Sequence, residues 1–424
     1  MMKIMEAMKS NMNIPSFDFK DIHHPGTFST YNYSMHDIDI ISDALSSTTT
    51  LKKLSFTVLQ PRDEIYDAMH RNLSITTLEI SNISLPLTGQ FLPQNVEKLE
   101  ILRSNEDVPF EKYQNLASNI LNNTTLRVIK IWNDDYVIDY VLNAISPILI
   151  NRPNIETLIL ICGEYIRLND TNIDNIARSS LKSLEITNDT QSMDNGNNIY
   201  LFYKLISTMA SCGNIENLIL KNRIGSLGAH NDSAILNLSL AVAYLISNCH
   251  RIQNLTLIGF NFDDKCGTNI INALKQSQTH QLTTLNLANN KFSAHTLKKF
   301  TKFDQFQKLV LDVDTRLPVD DGSLEKAYAT YISKNNKLIH FSLSNNSFSA
   351  GYIFDKLRYN DTLTYINLSS NRYDNDVVGK IIDVIKNNKS LNTLYIGSGN
   401  FTLESIRKII DSVEYNSTLT DIYI

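Results

Sequence analysis

The 424-residue sequence contains few of the residues that mark disulfide-rich, linker-rich or metal-binding proteins: 4 cysteines, 9 prolines, 14 glycines and 1 tryptophan. No two cysteines form a C-x-x-C pair, so we expect reduced thiols that fill a core rather than disulfides or a zinc site. The scarcity of proline and glycine argues against long flexible linkers. The four cysteines are Cys162, Cys212, Cys249 and Cys266.

The sequence also lacks a strong charge of one sign and a long apolar run. Its net charge of −5 argues against a role driven by neutralising nucleic-acid phosphates. The start, MMKIMEAMKSNMN, has no apolar core of the kind that a Sec signal needs, and no later segment is long and apolar enough to span a membrane. Triplets of the N-x-S/T type lie inside strand-like segments, as at 254–256, where a glycan would block the strand. We therefore expect a cytoplasmic protein.

Motifs for catalysis are missing as well. The sequence has no phosphate-binding GxxxxGK[ST], no G-x-S-x-G, no H-E-x-x-H and no GxGxxG after a strand. The acidic segment LDVDTRLPVDDGS, with Asp312, Asp314, Asp320 and Asp321, does not match the spacing of a calcium loop and is interpreted as a solvated loop. We expect no enzyme activity, no catalytic residues, no metal, no cofactor and no small-molecule substrate.

What the sequence does contain is an internal repeat. The pattern L-x-x-L-x-L, with Ile, Val or Phe allowed, recurs about every 28 residues, within the range of leucine-rich repeats. The fourteen starts are Leu51, Ile75, Val96, Leu126, Ile155, Leu181, Ile215, Ile252, Leu282, Phe306, Leu338, Leu363, Leu391 and Leu419. Each L-x-L segment predicts a short strand with its leucines facing inward, and stacking of successive repeats buries them.

Helices are predicted between the strands. In VVGKIIDVIKNNKSL, Val378, Ile381 and Ile385 recur at helical spacing, and the segment ends in a polar turn at Asn387 and Asn388. Similar turns precede other strands, for example at Asn123, Asn360 and Asn416. Because asparagine tolerates the left-handed conformation, we expect these turns to end the helices in that conformation.

A second asparagine position follows the late strands, at Asn290, Asn346 and Asn371. These residues lie where each strand bends away, so their side chains are expected to bond unpaired backbone groups and form a ladder along the repeats. The sequence thus predicts an α/β solenoid with an N-terminal cap at residues 1–50 and a repeat array of about fourteen repeats at residues 51–424.

The repeats quoted above resemble the ribonuclease-inhibitor class of leucine-rich-repeat proteins, from Leu51 to Ile424. That resemblance implies a horseshoe with a parallel sheet on the concave face and helices on the convex face. The sequence is also similar to Legionella-type effectors in three features. It is rich in Asn, Ile and Lys, it lacks a Sec signal, and its repeats have no attached enzyme domain. This second resemblance implies a virulence protein that a type IV system translocates into the host cell.

The variable positions of the strand pattern should form the concave binding face. Trp132, the only tryptophan, falls among them with aliphatic neighbours, as in interface anchors. A covering loop, or a register shifted by one residue, would instead bury it. The candidate partner-binding residues are Lys130, Trp132, Ile159, Ile161, Ile219, Ile258, His340, Tyr365 and Tyr395.

The expected function is non-catalytic protein binding, with a host protein or another effector as partner and no nucleic acid. Two alternatives stay open: an enzyme or enzyme recruiter, such as a ubiquitin-pathway adaptor, with a site built from loops, and a purely structural scaffold. The chain ends at LTDIYI inside a repeat, so we expect further residues, a second copy or a partner to cover this edge.

Overall fold

The computed structural model describes the chain as two compact units, Met1–Thr190 and Gln191–Ile424. The described residues are 2–10, 13–18, 35–56, 61–81, 84–102, 108–133, 138–162, 168–188, 196–222, 232–277, 281–313, 317–318, 322–373 and 375–424.

In the first unit, the described strands pair in parallel with their sequence neighbours, from β1 to β7. The elements are α1 Met2–Lys9, β1 Ser16–Asp18, α2 Met35–Ser47, β2 Lys53–Phe56, α3 Asp63–Arg71, β3 Thr77–Ser81, β4 Lys98–Leu102, α4 Phe110–Asn122, β5 Val128–Asn133, α5 Ile138–Leu149, β6 Thr157–Cys162, α6 Asp170–Arg178 and β7 Ser183–Asn188.

The second unit repeats this alternation, and its described strands pair in parallel from β8 to β15. The elements are α7 Gly196–Cys212, β8 Asn217–Asn222, α8 Asp232–Asn248, β9 Asn254–Ile258, α9 Asp264–Gln276, β10 Thr284–Asn286, α10 Ala294–Phe300, β11 Lys308–Val310, α11 Ser323–Lys334, β12 His340–Ser342, α12 Gly351–Leu357, β13 Tyr365–Asn367, α13 Val378–Asn387, β14 Thr393–Tyr395, α14 Leu403–Val413 and β15 Asp421–Tyr423.

One apolar residue per strand sets the register in each unit. Leu54 of β2 pairs with Leu78 of β3, which pairs with Leu99 of β4, and all three are fully buried. The equivalent line in the second unit includes Leu309, paired with the equally buried Phe341. Each of the fourteen predicted repeat starts is followed by a strand, so the leucine-rich-repeat solenoid predicted from the sequence is confirmed.

Two local features depart from the strand-and-helix pattern. The predicted cap contains a strand, β1, which pairs in parallel with β2. Between β3 and β4 the described residues form no α-helix. Here the buried Phe91 and Leu92 fill the space, and the side-chain oxygen of Asn119 accepts hydrogen bonds from both of their backbone amides, at 2.8 and 3.4 Å. The side-chain amide of Asn119, in α4, therefore holds a loop in the place where other repeats have a helix.

The asparagine ladder predicted after the late strands is confirmed. The side-chain nitrogen of Asn290 donates to the carbonyl oxygens of Leu257 and Leu287, both at 2.9 Å. Asn371 makes the equivalent pair of bonds to Leu343 and Leu368, both at 2.8 Å. Each asparagine thus satisfies one carbonyl of its own repeat and one of the preceding repeat, which ties neighbouring repeats together.

The prediction that the helix-ending asparagines adopt the left-handed conformation is wrong. Asn388 has φ −71° and ψ 134°, an extended backbone. It acts through its side chain, which donates to the carbonyls of Leu357 and Asn360 at 2.7 and 2.8 Å and accepts from the amides of Ser390 and Leu391. Other asparagines make equivalent bonds, namely Asn72, Asn123, Asn360 and Asn416.

A cysteine takes the place of the turn asparagine in one repeat. Cys249 is fully buried, and its Sγ atom donates to the carbonyl of Ile215 at 3.3 Å. The interpretation of this thiol as structural is confirmed.

Candidate protein-binding surfaces

Strand side chains alternate between two faces of each sheet. In β6, Leu158 and Leu160 are buried, whereas Ile159 and Ile161 are half-buried. The buried face packs on helices, as Phe341 shows by its ring contact with Tyr328 of α11 at 5.6 Å. We call the other face the open face. It carries all nine residues that the sequence singled out, and none of them is buried.

In the first unit, four of these residues form one patch, the Trp132 surface: Lys130, Trp132, Ile159 and Ile161. Lys130 pairs with Ile159 and Trp132 with Ile161 across β5 and β6. The Trp132 side chain is 46% exposed, and the Lys130 ammonium lies 5.6 Å from the centre of its ring. The sequence predicted this exposure and these neighbours, and the structure places them together.

An ion-pair network with β4, the strand on the other side of β5, holds the Lys130 side chain in place. Its Nζ atom lies 3.0 Å from one carboxylate oxygen of Glu100, and Lys98 Nζ lies 2.7 Å from the other. Burial alone would raise the pKa of Glu100, but the hydrogen bonds from Lys98 and Lys130 outweigh it, and the pKa lies below its usual value. Glu100 is therefore an anion that holds two cations on the open face.

A similar pair lies at the start of this sheet, where Lys53 contacts Glu79 at 2.6 Å. Its hydrogen bond to Glu79 raises the pKa of Lys53 despite partial burial. The charges on the open face of the early repeats are therefore arranged as compensating pairs rather than as a patch of one sign.

Ile219 and Ile258 lie on adjacent strands of the second unit but are not direct partners. Ile219 pairs with Thr256, and Ile258 pairs with Lys221. Each isoleucine therefore has a polar residue opposite it on the neighbouring strand.

The late repeats of the second unit form a continuous line of rings, the tyrosine row: His340, Tyr365, Tyr395 and Tyr423. His340 stacks on Tyr365 with ring centres 3.8 Å apart and an angle of 4°. Tyr395 stacks on Tyr423 in the same way, at 4.0 Å and 4°. Tyr365 and Tyr395 join the two pairs at 5.5 Å with a tilt of 45°.

The environment of the row keeps its groups in one protonation state. Burial, assisted by Lys308, lowers the pKa of His340 to about 4, so the ring is neutral near pH 7. Burial and Asp312 raise the pKa of Tyr365. The neighbouring hydroxyl of Tyr423 raises the pKa of Tyr395 to about 12. The hydroxyls of Tyr365 and Tyr395 are therefore protonated hydrogen-bond donors near neutral pH.

Asp312 lies beside this row and is not the solvated residue that the sequence suggested. It is only partly exposed, and its carboxylate accepts hydrogen bonds from the Ser342 hydroxyl at 2.7 Å and the Ser344 amide at 2.6 Å. Burial raises its pKa more than these bonds lower it. The other acidic residues of that segment, Asp314, Asp320 and Asp321, lie outside the described residues.

Comparison with known proteins finds no matching family model and no matching curated protein. Among solved structures, the chain is similar to an internalin (inlF) from Listeria monocytogenes strain 4b F2365. The two share 16% sequence identity over 90% of this chain and 82% of that chain, with a TM-score of 0.39. The leucine-rich-repeat fold rests on the strand pairing and register described above.

Two cavities in the described part of the chain are lined by none of the predicted binding residues. One, of about 260 Å³, is lined by residues that include Asp263, Lys265, Cys266 and Lys291. The other, of about 300 Å³, is lined mainly by uncharged amides and hydroxyls near His70. Burial raises the pKa of Cys266 to about 11, so its thiol stays protonated. Within the described ranges, no three His, Cys, Asp or Glu side chains are placed to hold a metal ion.

The sequence reasoning missed one apolar patch, on the helices α7 and α8. Tyr200, Leu240 and Tyr244 are each about half exposed there. A signal was available, because the 17 residues of α8 include only one charged side chain, Asp232. No described helix has the length and apolarity that crossing a lipid bilayer requires.

Proposed function

We propose that this protein is a non-catalytic protein-binding solenoid that engages its partner through the open face of its sheets. The Trp132 surface is the observation that carries this proposal. A tryptophan with 46% of its surface exposed, on a central strand and beside two isoleucines, has the composition of an interface anchor.

The surroundings of Trp132 prepare it for binding. Strand pairing on both sides fixes the backbone of β5, and the ammonium of Lys130 lies between the indole ring and Glu100. A partner would therefore meet side chains that have already lost much of their freedom, which lowers the entropic cost of association. Burial of the indole and the isoleucines would supply the favourable free energy.

The titratable groups of the tyrosine row favour binding over catalysis. Asp312 is engaged by Ser342 and Ser344, and His340 is neutral and stacked on Tyr365. A general base works best when its pKa lies near the operating pH, and the pKa of His340, about 4, makes this ring a weak base at neutral pH. The alternative, an enzyme or an enzyme recruiter with a loop-built site, has no comparable arrangement to support it among the described residues.

The finer expectations belong to the same proposal. A helix in most repeats and the repeat length of about 28 residues support the ribonuclease-inhibitor class of leucine-rich repeat. An effector of the Legionella type, translocated by a type IV system and directed at a host protein or another effector, is supported by the residue usage and the lack of a Sec signal.

The test compares three baits in a quantitative capture experiment from host-cell lysate: the wild-type chain, Trp132→Ala and Tyr140→Ala. Tyr140 is a matched control, because it is an aromatic residue of the same unit, 54% exposed, but on helix α5. We expect a protein that Trp132→Ala loses and Tyr140→Ala retains. A binding isotherm with that purified protein should then show a loss of about thirtyfold in affinity for Trp132→Ala.

Thermal unfolding of the same variants separates binding from folding. Because Trp132 is half exposed, its truncation should lower the melting temperature only slightly. A large drop would mean that the residue is part of the core. If both variants capture the same proteins as the wild type, the Trp132 surface is not a binding site and the proposal fails.

A further inference from the structure

The tyrosine row has a regular geometry that specifies the shape of its ligand. Its two stacked pairs, His340 with Tyr365 and Tyr395 with Tyr423, occupy β12 with β13 and β14 with β15. The second pair lies two residues further along the strands than the first, because Tyr365 pairs with Thr393 whereas Tyr395 pairs with Asn367. The ring-centre distances along the row place the centres of the two pairs at most about 9.4 Å apart. A ligand that crosses the strands obliquely and repeats every 9 Å or so would contact both pairs.

A polyproline II helix has this repeat. It rises about 3.1 Å per residue with three residues per turn, so equivalent side chains recur every 9.3 Å or so. It also forms no internal backbone hydrogen bonds, which leaves its carbonyl oxygens free to accept bonds from a protein surface. The hydroxyls of Tyr365 and Tyr395 stay protonated near neutral pH and can donate such bonds.

The exposed form of the row suits proline better than a sugar. Within each pair the ring planes lie 4° from parallel and about 4 Å apart, so the facing ring surfaces are already occupied. A sugar ring would need such a surface to stack on. Tyr365 and Tyr395 differ from the stacked pairs: their ring centres are 5.5 Å apart and their planes are tilted by 45°, so these two rings do not stack face to face. A pyrrolidine ring is compact, apolar and preorganised, which suits packing against such ring edges.

Opposite charges flank the row. Lys308 of β11 pairs with His340 at one end of the row, and Asp421 of β15 lies two residues before Tyr423 at the other end. The strand register places the two charges on one line across five strands, which contains His340 and Tyr365 and runs beside Tyr395 and Tyr423. Neither has an ion-pair partner within the described part of the chain. Four strand spacings separate them, about 19 Å. Six residue steps of a polyproline II helix cover about the same length.

We propose that the tyrosine row binds a proline-rich peptide segment in the polyproline II conformation. The segment crosses the strands, with an acidic residue beside Lys308 and a basic residue six positions away beside Asp421. This inference rests on the proposed function and names the class of peptide that the second unit recognises.

Four fluorescein-labelled peptides test it by anisotropy with the full chain: EPPAPPK, its reverse KPPAPPE, the neutral-ended QPPAPPQ and the flexible EGGAGGK. We expect one of the two charged proline peptides to bind saturably, with a Kd below about 1 mM. QPPAPPQ should bind a few-fold more weakly, since exposed charge pairs contribute modestly. EGGAGGK should bind at least tenfold more weakly, because it must be ordered on binding. The preferred charged peptide reports the direction of the bound segment.

Variants locate the site. Tyr395→Ala should lower the affinity for the preferred peptide at least tenfold. Lys308→Glu should remove the difference in affinity between that charged peptide and QPPAPPQ. Tyr352→Ala is the matched control, because Tyr352 is an exposed tyrosine of the same unit on helix α12, and it should leave the affinity unchanged. Circular dichroism confirms that each variant is folded.

Three results would overturn the inference. These are no saturable binding of any proline peptide up to about 1 mM, equal binding of EGGAGGK, and equal affinity in Tyr395→Ala. Cellopentaose and maltopentaose are included as competitors, and Tyr395-dependent binding of either in place of the peptides would assign the row to carbohydrate. The Trp132 experiment reports on a different unit, so the general proposal can stand while the proline-rich ligand fails.

Discussion

Gly259 shows how one residue can determine the packing of a repeat. Its φ is +74°, and a Cβ atom added there would lie 1.9 Å from the backbone oxygen of Asn222. Gly259→Ala therefore combines an unfavourable left-handed backbone with a clash that only backbone movement can relieve. We expect the free energy of unfolding to fall by about 3 kcal/mol or more.

Gly213 provides the control for this prediction. Its φ is +70°, but nothing lies within 4 Å of the added Cβ atom. Gly213→Ala should therefore show only the backbone cost, about 1 kcal/mol. Urea denaturation of both variants measures the difference, and equal losses would mean that the contact with Asn222 does not constrain the turn.

His340 makes the stability of the second unit depend on pH. Its pKa in the folded chain is about 4, below the ordinary 6.5, because the ring is partly buried and lies near Lys308. Between these values the unfolded chain binds more protons than the folded chain. The stabilising contribution of neutral His340 is therefore complete above about pH 6.5 and is lost as the pH falls toward 4.

His340→Phe keeps a ring for stacking on Tyr365 and removes the titration. Melting temperatures measured from pH 7 to pH 4 should fall less steeply for the variant than for the wild type. Asp312 titrates in both proteins, so its contribution cancels in the comparison. Parallel curves would show that His340 is protonated equally easily in the folded and unfolded chains.

At the scale of the element, the turn before several strands depends on a single side-chain amide. Asn388 is 2% exposed, and its side chain makes five hydrogen bonds: two to carbonyls of the preceding repeat, two from backbone amides of its own turn and one from the Ser390 hydroxyl. Asn388→Ala leaves these buried groups unpaired, so we expect a loss of about 2–4 kcal/mol in the free energy of unfolding.

The adjacent Asn387→Ala is the control in the same denaturation experiment. Asn387 lies on the exposed side of the helix end, and its side-chain nitrogen donates only to the carbonyl of Asp383 at 2.8 Å. Its replacement should change the free energy of unfolding by no more than about 0.5 kcal/mol. Comparable losses in the two variants would contradict the structural role assigned to Asn388.

These elements also show how far the sequence could predict the fold. The strands could be predicted from the leucine spacing, because a strand that buries one face has apolar residues at every second position. The way in which Asn388 ends its helix could not be predicted. An asparagine at this position is equally compatible with a left-handed backbone and with hydrogen bonds from its side chain to neighbouring turns. The loop between β3 and β4 depends on hydrogen bonds to the side-chain oxygen of Asn119, which belongs to the next helix. The sequence of the loop itself does not reveal this contact.

The candidate surfaces were predictable to a similar extent. Alternation along β5 placed Trp132 on the open face, with Ile161 beside it. The tyrosine row was predicted only in part, because its two stacked pairs are direct strand neighbours but are joined by a diagonal step: Tyr365 pairs with Thr393, not with Tyr395. Asp312 was assigned to solvent because its partners, Ser342 and Ser344, belong to the next repeat, about 30 residues away.

At the scale of the whole molecule, each repeat is stabilised mainly by its immediate neighbours. Asn416 donates to the backbone carbonyl of Asn388 at 3.1 Å, so a backbone shift in the turn that loses the Asn388 side chain also changes the bond made by Asn416. Asn335 and Asn416 are separated by intervening repeats and share no hydrogen-bond partner in the described ranges. Stability effects should therefore add for the second pair but not for the first.

A double-mutant cycle on the alanine variants tests this. The coupling free energy of Asn388 with Asn416 should be about 0.5 kcal/mol or more, and that of Asn335 with Asn416 should lie within experimental error of zero. Coupling of equal size in both pairs would indicate that the unit responds as one core instead of as a chain of neighbouring layers.

The asparagine bonds also have a direction. Asn290, Asn371, Asn388 and Asn416 each donate to a carbonyl of the repeat that precedes them in the chain. During translation the preceding repeat leaves the ribosome first, so the acceptors of every such bond exist before the donor is made. Each finished repeat can then serve as a template on which the next one folds, and a nascent chain need not wait for its C-terminus to begin assembling its core.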